Sequence, residues 1–179
     1  MKKLVILDRD GTINYDSDQY IKSPAEWRPI PGSIEAIARL NQNGWRIAVA
    51  TNQSGIARGL FDMATLNAIN DKMMEMVFRQ GGRIDALFFC PHAADEGCNC
   101  RKPRTGMLEE IAARFHTDLK AVPVVGDSLK DLQSAEAVGA QPILVLTGKG
   151  TKTREDGTLP KKTLVFEDLA AASRHLIGA

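Results

Sequence analysis

A chain of 179 residues has the length of one domain and can bury a full core without disulfide or metal staples. Its 23 basic and 22 acidic residues leave a formal charge of +1, which gives no reason to expect nucleic acid or an anionic membrane as a partner, and no apolar run approaches the ~20 residues that span a bilayer. Met1-Lys2-Lys3 leads into an apolar run without a small-residue cleavage site, so no secretory signal and a cytoplasmic location are expected.

The first element is Leu4-Val5-Ile6-Leu7, four apolar residues that predict a strand buried on both faces. It runs into Asp8-Arg9-Asp10-Gly11-Thr12, and carboxylates at the exit of a buried strand need a use, because unpaired buried charge is costly. Asp8 and Asp10 lie two apart, so a continuing strand would turn both side chains to one face. Residues 13–29, with Asn14, Asp16, Ser17, Asp18 and Trp27, form a polar stretch long enough to predict a functional loop. Pro31-Gly32-Ser33 introduces a helix with Ser33 as its N-cap, Ile34, Ile37 and Leu40 as its apolar stripe and Gly44 as its stop. Ile47-Ala48-Val49-Ala50 predicts a second buried strand, ending in Thr51-Asn52-Gln53-Ser54-Gly55.

Across residues 62–80, Leu66, Ile69, Met73 and Met76 recur at helical spacing, and Gly81-Gly82 close the segment. Its methionines, Met73, Met74 and Met76, read as a core-facing helix with one exposed Met rather than a soft-metal site. A strand over 84–89 delivers Cys90. A helix over 107–115 follows, then a strand over 122–125 that ends in Gly126-Asp127-Ser128. Leu132 and Ala135 sit on a helix that Gly139 stops; strands are expected over 143–146 and 164–166, and a last helix over 168–176. Residues 148–162, rich in Gly, Thr, Lys and Pro, read as a solvated, mobile connection, with Lys149 near enough to a strand end to contact an anion. Strands alternating with helices predict a doubly wound parallel α/β sheet in one domain over 1–179, and in such folds ligands bind beyond the carboxyl ends of the strands.

Three strand ends therefore converge chemically. Asp8, Asp10 and Asp127 are hard oxygen donors of the kind that suits Mg²⁺ with phosphate and water, Thr51 offers a hydroxyl, and Lys102 a fixed positive charge. Each part alone is commonplace; their conjunction in chain order is not. A second constellation lies within eleven residues: Cys90-Pro91-His92 and Cys98-Asn99-Cys100 hold all three cysteines of the chain and one imidazole. Cys90, His92, Cys98 and Cys100 suit a closed, structural Zn²⁺ site, and the Arg101 and Lys102 that follow would be aimed by it. His116 and His175, each alone on a helix or its end, read as ordinary surface.

Asp8-Arg9-Asp10-Gly11-Thr12, Thr51-Asn52, Lys102-Pro103 and Gly126-Asp127-Ser128-Leu129-Lys130-Asp131 resemble, in order, the four motifs of the haloacid dehalogenase-like phosphatases. The resemblance implies a Rossmann-like, three-layer fold and a two-step reaction. Asp8 would be the nucleophile and Asp10 the acid and base. Mg²⁺ would be held by Asp8, the main-chain carbonyl of Asp10 and Asp127. Thr51 and Lys102 would bind the transferring phosphoryl group, and Asp131 would buttress the site from behind.

The zinc loop, the Thr51-Asn52-Gln53-Ser54-Gly55-Ile56-Ala57-Arg58-Gly59 run and Cys100-Arg101-Lys102-Pro103 are similar to the subgroup of histidinol-phosphate and heptose 1,7-bisphosphate phosphatases, above all the latter. That likeness implies a small-molecule sugar phosphate as substrate, losing its C7 phosphate in bacterial heptose-nucleotide synthesis, and a monomer without a large cap domain. It implies substrate contacts from Asp16, Ser17, Asp18, Gln19, Thr51, Asn52, Gln53, Ser54, Arg101, Lys102 and Ser128. Arg101 is best suited to read a second phosphate, since a guanidinium grips phosphate with two N–H groups; Arg58 is the weaker candidate. Ser128 stands where some members carry lysine. A histidinol-phosphate phosphatase is the rival reading, and a zinc-stabilised binding module without catalysis is the alternative of another class, against which the intact Asp8, Asp10, Lys102 and Asp127 speak.

Overall fold

A computed structural model describes residues 3–178, in which strands and helices alternate from β1 (Leu4–Leu7) through α1 (Ser33–Gln42), β2 (Arg46–Asn52), α2 (Met63–Arg79), β3 (Ala86–Cys90) and α3 (Gly106–Phe115). They continue through β4 (Pro123–Gly126), α4 (Leu129–Ala137), β5 (Gln141–Val145), α5 (Gly150–Glu155) and β6 (Leu164–Phe166) to α6 (Leu169–Ile177). The strands form one parallel sheet in the order β3-β2-β1-β4-β5-β6. Met1, Lys2 and Ala179 lie outside the described residues, and with them the expectation about the amino terminus.

The period-two geometry of a strand makes the three layers. Val5 and Leu7 of β1, with Ile47, Val49, Val125, Ile143 and Val145, face the core formed by α1, α2 and α6 through Ile37, Leu40, Ile69, Met73, Val77 and Leu169. Leu4 and Ile6, with Ala48, Ala50 and Val124, face the opposite core, built by Met107, Leu108, Ile111 and Phe115 of α3 and Ala135 of α4. Fully burying each large aliphatic of this kind contributes about 1.5–3 kcal/mol. Because β1 is covered on both faces and flanked by β2 and β4, its register with Val49 and Val125 at Leu7 is fixed from both sides. The chain leaving β1 enters the crevice where strand order reverses, between β1 and β4, which is where open α/β sheets bind ligands.

Two local readings change. Ser33 is not the N-cap of α1: Gly32, at φ 83, takes that position, and the Ser33 hydroxyl donates to the Ile13 carbonyl at 2.6 Å, tying the long loop to the helix. Residues 148–162 are not a bare connection. They contain α5, with Gly150 and Thr153 buried against β5. The methionines of α2 divide as expected, Met73 buried, Met76 at the core margin and Met74 exposed. Residues 13–29 are irregular but packed, with Ile13 and Trp27 fully buried and the Lys72 ammonium donating to the Pro24 and Trp27 carbonyls at 2.6 and 2.8 Å.

Candidate active site

Asp8 follows β1 directly, and its N–H donates to the Val125 carbonyl at 2.8 Å, so the neighbouring strand sets its position. Lys102, only 4% exposed, crosses beneath it and donates to Asp8 Oδ1 at 2.8 Å, Asp131 Oδ1 at 2.6 Å and the Ala50 carbonyl at 2.7 Å. Burial opposes its positive charge, yet the carboxylates of Asp131 and Asp8 outweigh burial and hold the ammonium above the ordinary lysine range. The peptide of Lys102 is gripped as well: its N–H donates to Asn52 Oδ1 at 3.0 Å and its carbonyl accepts from Asn52 Nδ2 at 3.1 Å. Asn52 thus lines the cleft while its amide locks the lysine-bearing loop to the end of β2.

Asp10 reaches the same edge differently from the expected strand alternation. The strand stops at Leu7; the chain then turns, with the Ile13 N–H on the Arg9 carbonyl at 2.8 Å and Gly11 at φ 86. The Asp10 carboxylate accepts from Arg9 Nε and Nη2 at 3.1 and 3.2 Å, and from Asn14 Nδ2 and Gln53 Nε2 at 2.8 Å each. Gln53 Nε2 also lies 2.9 Å from the Thr51 hydroxyl, so the end of β2 is organised toward Asp10.

Asp127, just past the end of β4, is clamped by α5 and the residue before it. Its Oδ2 accepts the Lys149 N–H at 2.8 Å, and its carbonyl accepts the Thr153 hydroxyl at 2.9 Å. A Cβ on Gly11 or on Gly148 would lie 2.0 or 2.2 Å from Asp127 Oδ2, so both positions exclude a side chain, and both have positive φ. Carboxylate oxygens of Asp8, Asp127 and Asp131 come within 4.8 Å of one another. Burial, then the charge of Asp131, lifts the pKa of Asp127 to about 7, and burial lifts Asp8 well above the usual carboxylate range despite Lys102. Crowded carboxyls that one ammonium does not balance, with hard oxygen donors, fit a divalent cation such as Mg²⁺. Asp131 already accepts Lys102 on one oxygen and the Ser128 N–H and hydroxyl on the other, at 3.1 and 2.7 Å. Asp8 and Asp127 are therefore the carboxylates better placed to reach the ion.

The cysteine cluster forms as the spacing predicts. Cys90 at the end of β3, His92, Cys98 and Cys100 bring one ligand atom each within 4.8 Å. Cys90 Sγ lies 3.6 Å from Cys98 Sγ and 3.5 Å from His92 Nδ1, and His92 Nδ1 lies 3.2 Å from Cys100 Sγ. Zn–S and Zn–N bonds in a tetrahedron require edges of about 3.8 and 3.5 Å, so the donor set fits Zn²⁺. Burial, then the neighbouring Cys100, pushes the Cys90 thiol up to about 12, so metal binding there would displace its proton.

The chain is 58% identical over 175 residues to the D-glycero-β-D-manno-heptose-1,7-bisphosphate 7-phosphatase of Bordetella bronchiseptica, covering 98% of both chains. It belongs to that phosphatase family. The enzyme of the same name from Pseudomonas aeruginosa is 54% identical over 176 residues, again covering 98% of both chains. A HAD-hydrolase-like family model matches residues 99–172. Among solved structures, the D,D-heptose 1,7-bisphosphate phosphatase from B. bronchiseptica complexed with magnesium and phosphate superposes with a TM-score of 0.97 at 57% identity, covering 98% of each chain.

Against this family background, the substrate residues expected from sequence can be placed. A cleft of about 400 Å³ is lined by Asp8, Asp10, Asp16, Ser17, Asp18, Thr51, Asn52, Gln53, Ser54, Arg101, Lys102, Asp127 and Ser128. Gln19 is exposed and does not line it, because the turn carrying Tyr20 at φ 67 directs Gln19 to the neighbouring surface. Arg58 is exposed and outside the cleft, its guanidinium 6.0 Å from the Tyr20 ring centroid. Lys149 lines the cleft, as its place near a strand end suggests, and its ammonium lies 3.2 Å from Asp16 Oδ2. Lys130, within the Asp127–Asp131 motif, is a lining residue that the sequence reading did not single out; it lies at the cleft's exposed margin, and partial desolvation, then the charges of Arg101 and Lys149, lowers its pKa. Arg101, whose Nη1 donates to the His92 carbonyl at 3.3 Å, shares that cationic rim.

Proposed function

We propose that the protein removes the C7 phosphate of D-glycero-β-D-manno-heptose 1,7-bisphosphate. The observation that carries this reading is a cleft with two differently built ends: Asp8, Lys102 and Asp127 at the sheet crevice, and Arg101 with Lys130 at the rim. A carboxylate nucleophile with a buried ammonium suits one phosphoryl group, and the rim cations suit a second phosphate. The β anomer follows the curated relatives, whose names carry it.

In the first half-reaction an Asp8 carboxylate oxygen attacks phosphorus in line and forms an aspartyl phosphate, while Asp10 gives its proton to the departing sugar alkoxide. In the second, Asp10 takes a proton from water, whose oxygen displaces Asp8 from phosphorus. Lys102 keeps charge balance beside Asp8, and the Thr51 hydroxyl, which lines the cleft and accepts from Gln53, has its own proton to donate to a phosphoryl oxygen. Asp8, the Asp10 carbonyl and Asp127 would hold Mg²⁺, which when bound would supply charge neutralisation at the phosphoryl group. Zn²⁺ would be held by Cys90, His92, Cys98 and Cys100, and there it would brace the loop that carries Arg101 and Lys102.

We read residues 1–179 as one domain with its zinc loop over 90–102, acting as a monomer on a small-molecule sugar phosphate without nucleic-acid or membrane partners. Free thiols gathered at a metal site support a reducing, cytoplasmic setting, and among the described residues no helix is long and apolar enough to cross a membrane. Histidinol phosphate is the second substrate considered; its imidazole end has no use for the cations at the rim. Steady-state kinetics with both heptose anomers and histidinol phosphate decide the matter. The highest kcat/KM is expected for the β heptose bisphosphate, with the C1 phosphate retained in the product, and a higher value for histidinol phosphate would overturn the assignment.

A further inference from the structure

We propose that Arg9 and Asn70 form a positioning relay that fixes the Asp10 carboxyl for proton transfer, an inference that rests on the phosphatase reading above. Arg9 is fully buried. One edge of its guanidinium, Nε and Nη2, meets both oxygens of Asp10 at 3.1 and 3.2 Å, and the opposite nitrogen, Nη1, donates to Asn70 Oδ1 at 3.0 Å. Asn70 is 5% exposed and stands on the buried face of α2 among Leu66, Ile69, Met73 and Val77.

An amide in an otherwise apolar helix face is costly to bury without a hydrogen-bond partner. Here the partner is a guanidinium whose other edge grips the acid and base of the reaction. Neither Arg9 nor Asn70 lines the cleft, so neither touches substrate. Asp10 touches both sides of the arrangement: it faces the cleft and leans on Arg9 from behind. A carboxyl that must deliver a proton to an alkoxide and later collect one from water has to keep the same oxygen aimed at the reacting atoms, and rotation about its Cβ–Cγ bond would lose that aim. Asn14 restrains Asp10 from the loop and Gln53 from just past the end of β2; Asn70, on α2 and sixty-one residues from Arg9 in sequence, restrains it through Arg9.

The test separates a loosened proton donor from a loosened fold. Leaving-group protonation matters greatly for an alkyl ester and little for p-nitrophenyl phosphate, whose nitrophenolate departs unaided. kcat/KM for both reports the first transfer to Asp8. Asn70→Ala is expected to lower kcat/KM about tenfold for alkyl esters, with heptose bisphosphate and glycerol 3-phosphate both assayed, and severalfold less for p-nitrophenyl phosphate. Asn70→Asp, which keeps the size of the side chain but draws Arg9 away from Asp10, is expected to show the same substrate-dependent loss and serves if the alanine variant does not fold. Equal losses on alkyl and aryl esters, or no loss on either, in a folded variant would overturn the relay. Failure of wild-type enzyme on heptose bisphosphate alone, with glycerol 3-phosphate still showing the skewed loss, would instead count against the sugar assignment.

Discussion

Asn52 and Lys102 are joined by a reciprocal pair of hydrogen bonds, Lys102 N–H to Asn52 Oδ1 at 3.0 Å and Asn52 Nδ2 to the Lys102 carbonyl at 3.1 Å. The pair fastens the loop after the last cysteine to the end of β2, and the aim of the Lys102 ammonium at Asp8 depends on it. Asn52→Ala removes both bonds. It should cost about 1–2 kcal/mol of stability and lower kcat about tenfold by misplacing Lys102. Denaturant unfolding and steady-state kinetics check the two together; full activity in the variant would show that the peptide lock is dispensable.

Close packing at Asp127 sets up a paired substitution. Gly11→Ala puts a methyl where Asp127 Oδ2 now lies, whereas Gly139, at φ 71, has nothing within 4 Å of its Cβ position. Both variants pay about 1–2 kcal/mol for the left-handed backbone. Only Gly11→Ala should also lose Mg²⁺-dependent activity, by about a hundredfold or more, with Gly139→Ala close to wild type. Phosphatase assays across a Mg²⁺ titration distinguish them.

The crowded carboxyls predict a pH dependence of metal binding. The pKa of Asp127 is raised to about 7 in the folded, metal-free protein by burial and Asp131, above the 3.8 expected when unfolded. Between those values the folded state holds more protons than the unfolded state, so the contribution of this group to stability falls as pH rises toward 7. Mg²⁺ displaces that proton and relieves the burial of bare charge. The Tm gain on adding Mg²⁺ should therefore be larger at pH 7.5 than at pH 5.5, with affinity falling about tenfold per pH unit below 7. Calorimetric scans at the two pH values, each with and without Mg²⁺, measure it.

Zinc removal should act on both stability and catalysis. At about 3 °C per kcal/mol for a domain of this size, loss of a ligand contributing about 3 kcal/mol lowers Tm on the order of 10 °C. The loop carrying Arg101 and Lys102 then loses one of its two anchors, and kcat/KM should fall with zinc content. Cys98→Ser, compared with chelated wild type by metal analysis and melting, should reproduce both effects; an unchanged Tm after verified metal loss would contradict the clamp.

The alternation of elements was legible because each central strand is a continuous apolar run bounded by polar residues, as in Leu4–Leu7 and Val124-Val125. The clustering of Cys90, His92, Cys98 and Cys100 was legible because these residues are local in sequence. Helix α5 was not, because its six residues are held by Gly150 and Thr153 rather than by an apolar stripe, and its composition is that of a loop. The role of Lys149 escaped for a related reason: its backbone N–H, not its charge, holds Asp127. Asn70 was hidden by distance, since an amide at a stripe position reads as a defect until Arg9 is seen beside it. At Asp10 the sequence indicated the right edge for the wrong reason, a continuing strand where the chain turns at Gly11.

The first acceptor of the phosphoryl group tests the account most directly. Enzyme and heptose bisphosphate are mixed, quenched in acid within one turnover and reduced with borohydride, and the peptide spanning residues 4–14 is sequenced by mass. Asp8 should appear as homoserine, the mark of a reduced aspartyl phosphate, and Asp8→Asn should show no such product with kcat lower by about 10⁴-fold or more. A trapped residue other than Asp8, or wild-type turnover by Asp8→Asn, would contradict it.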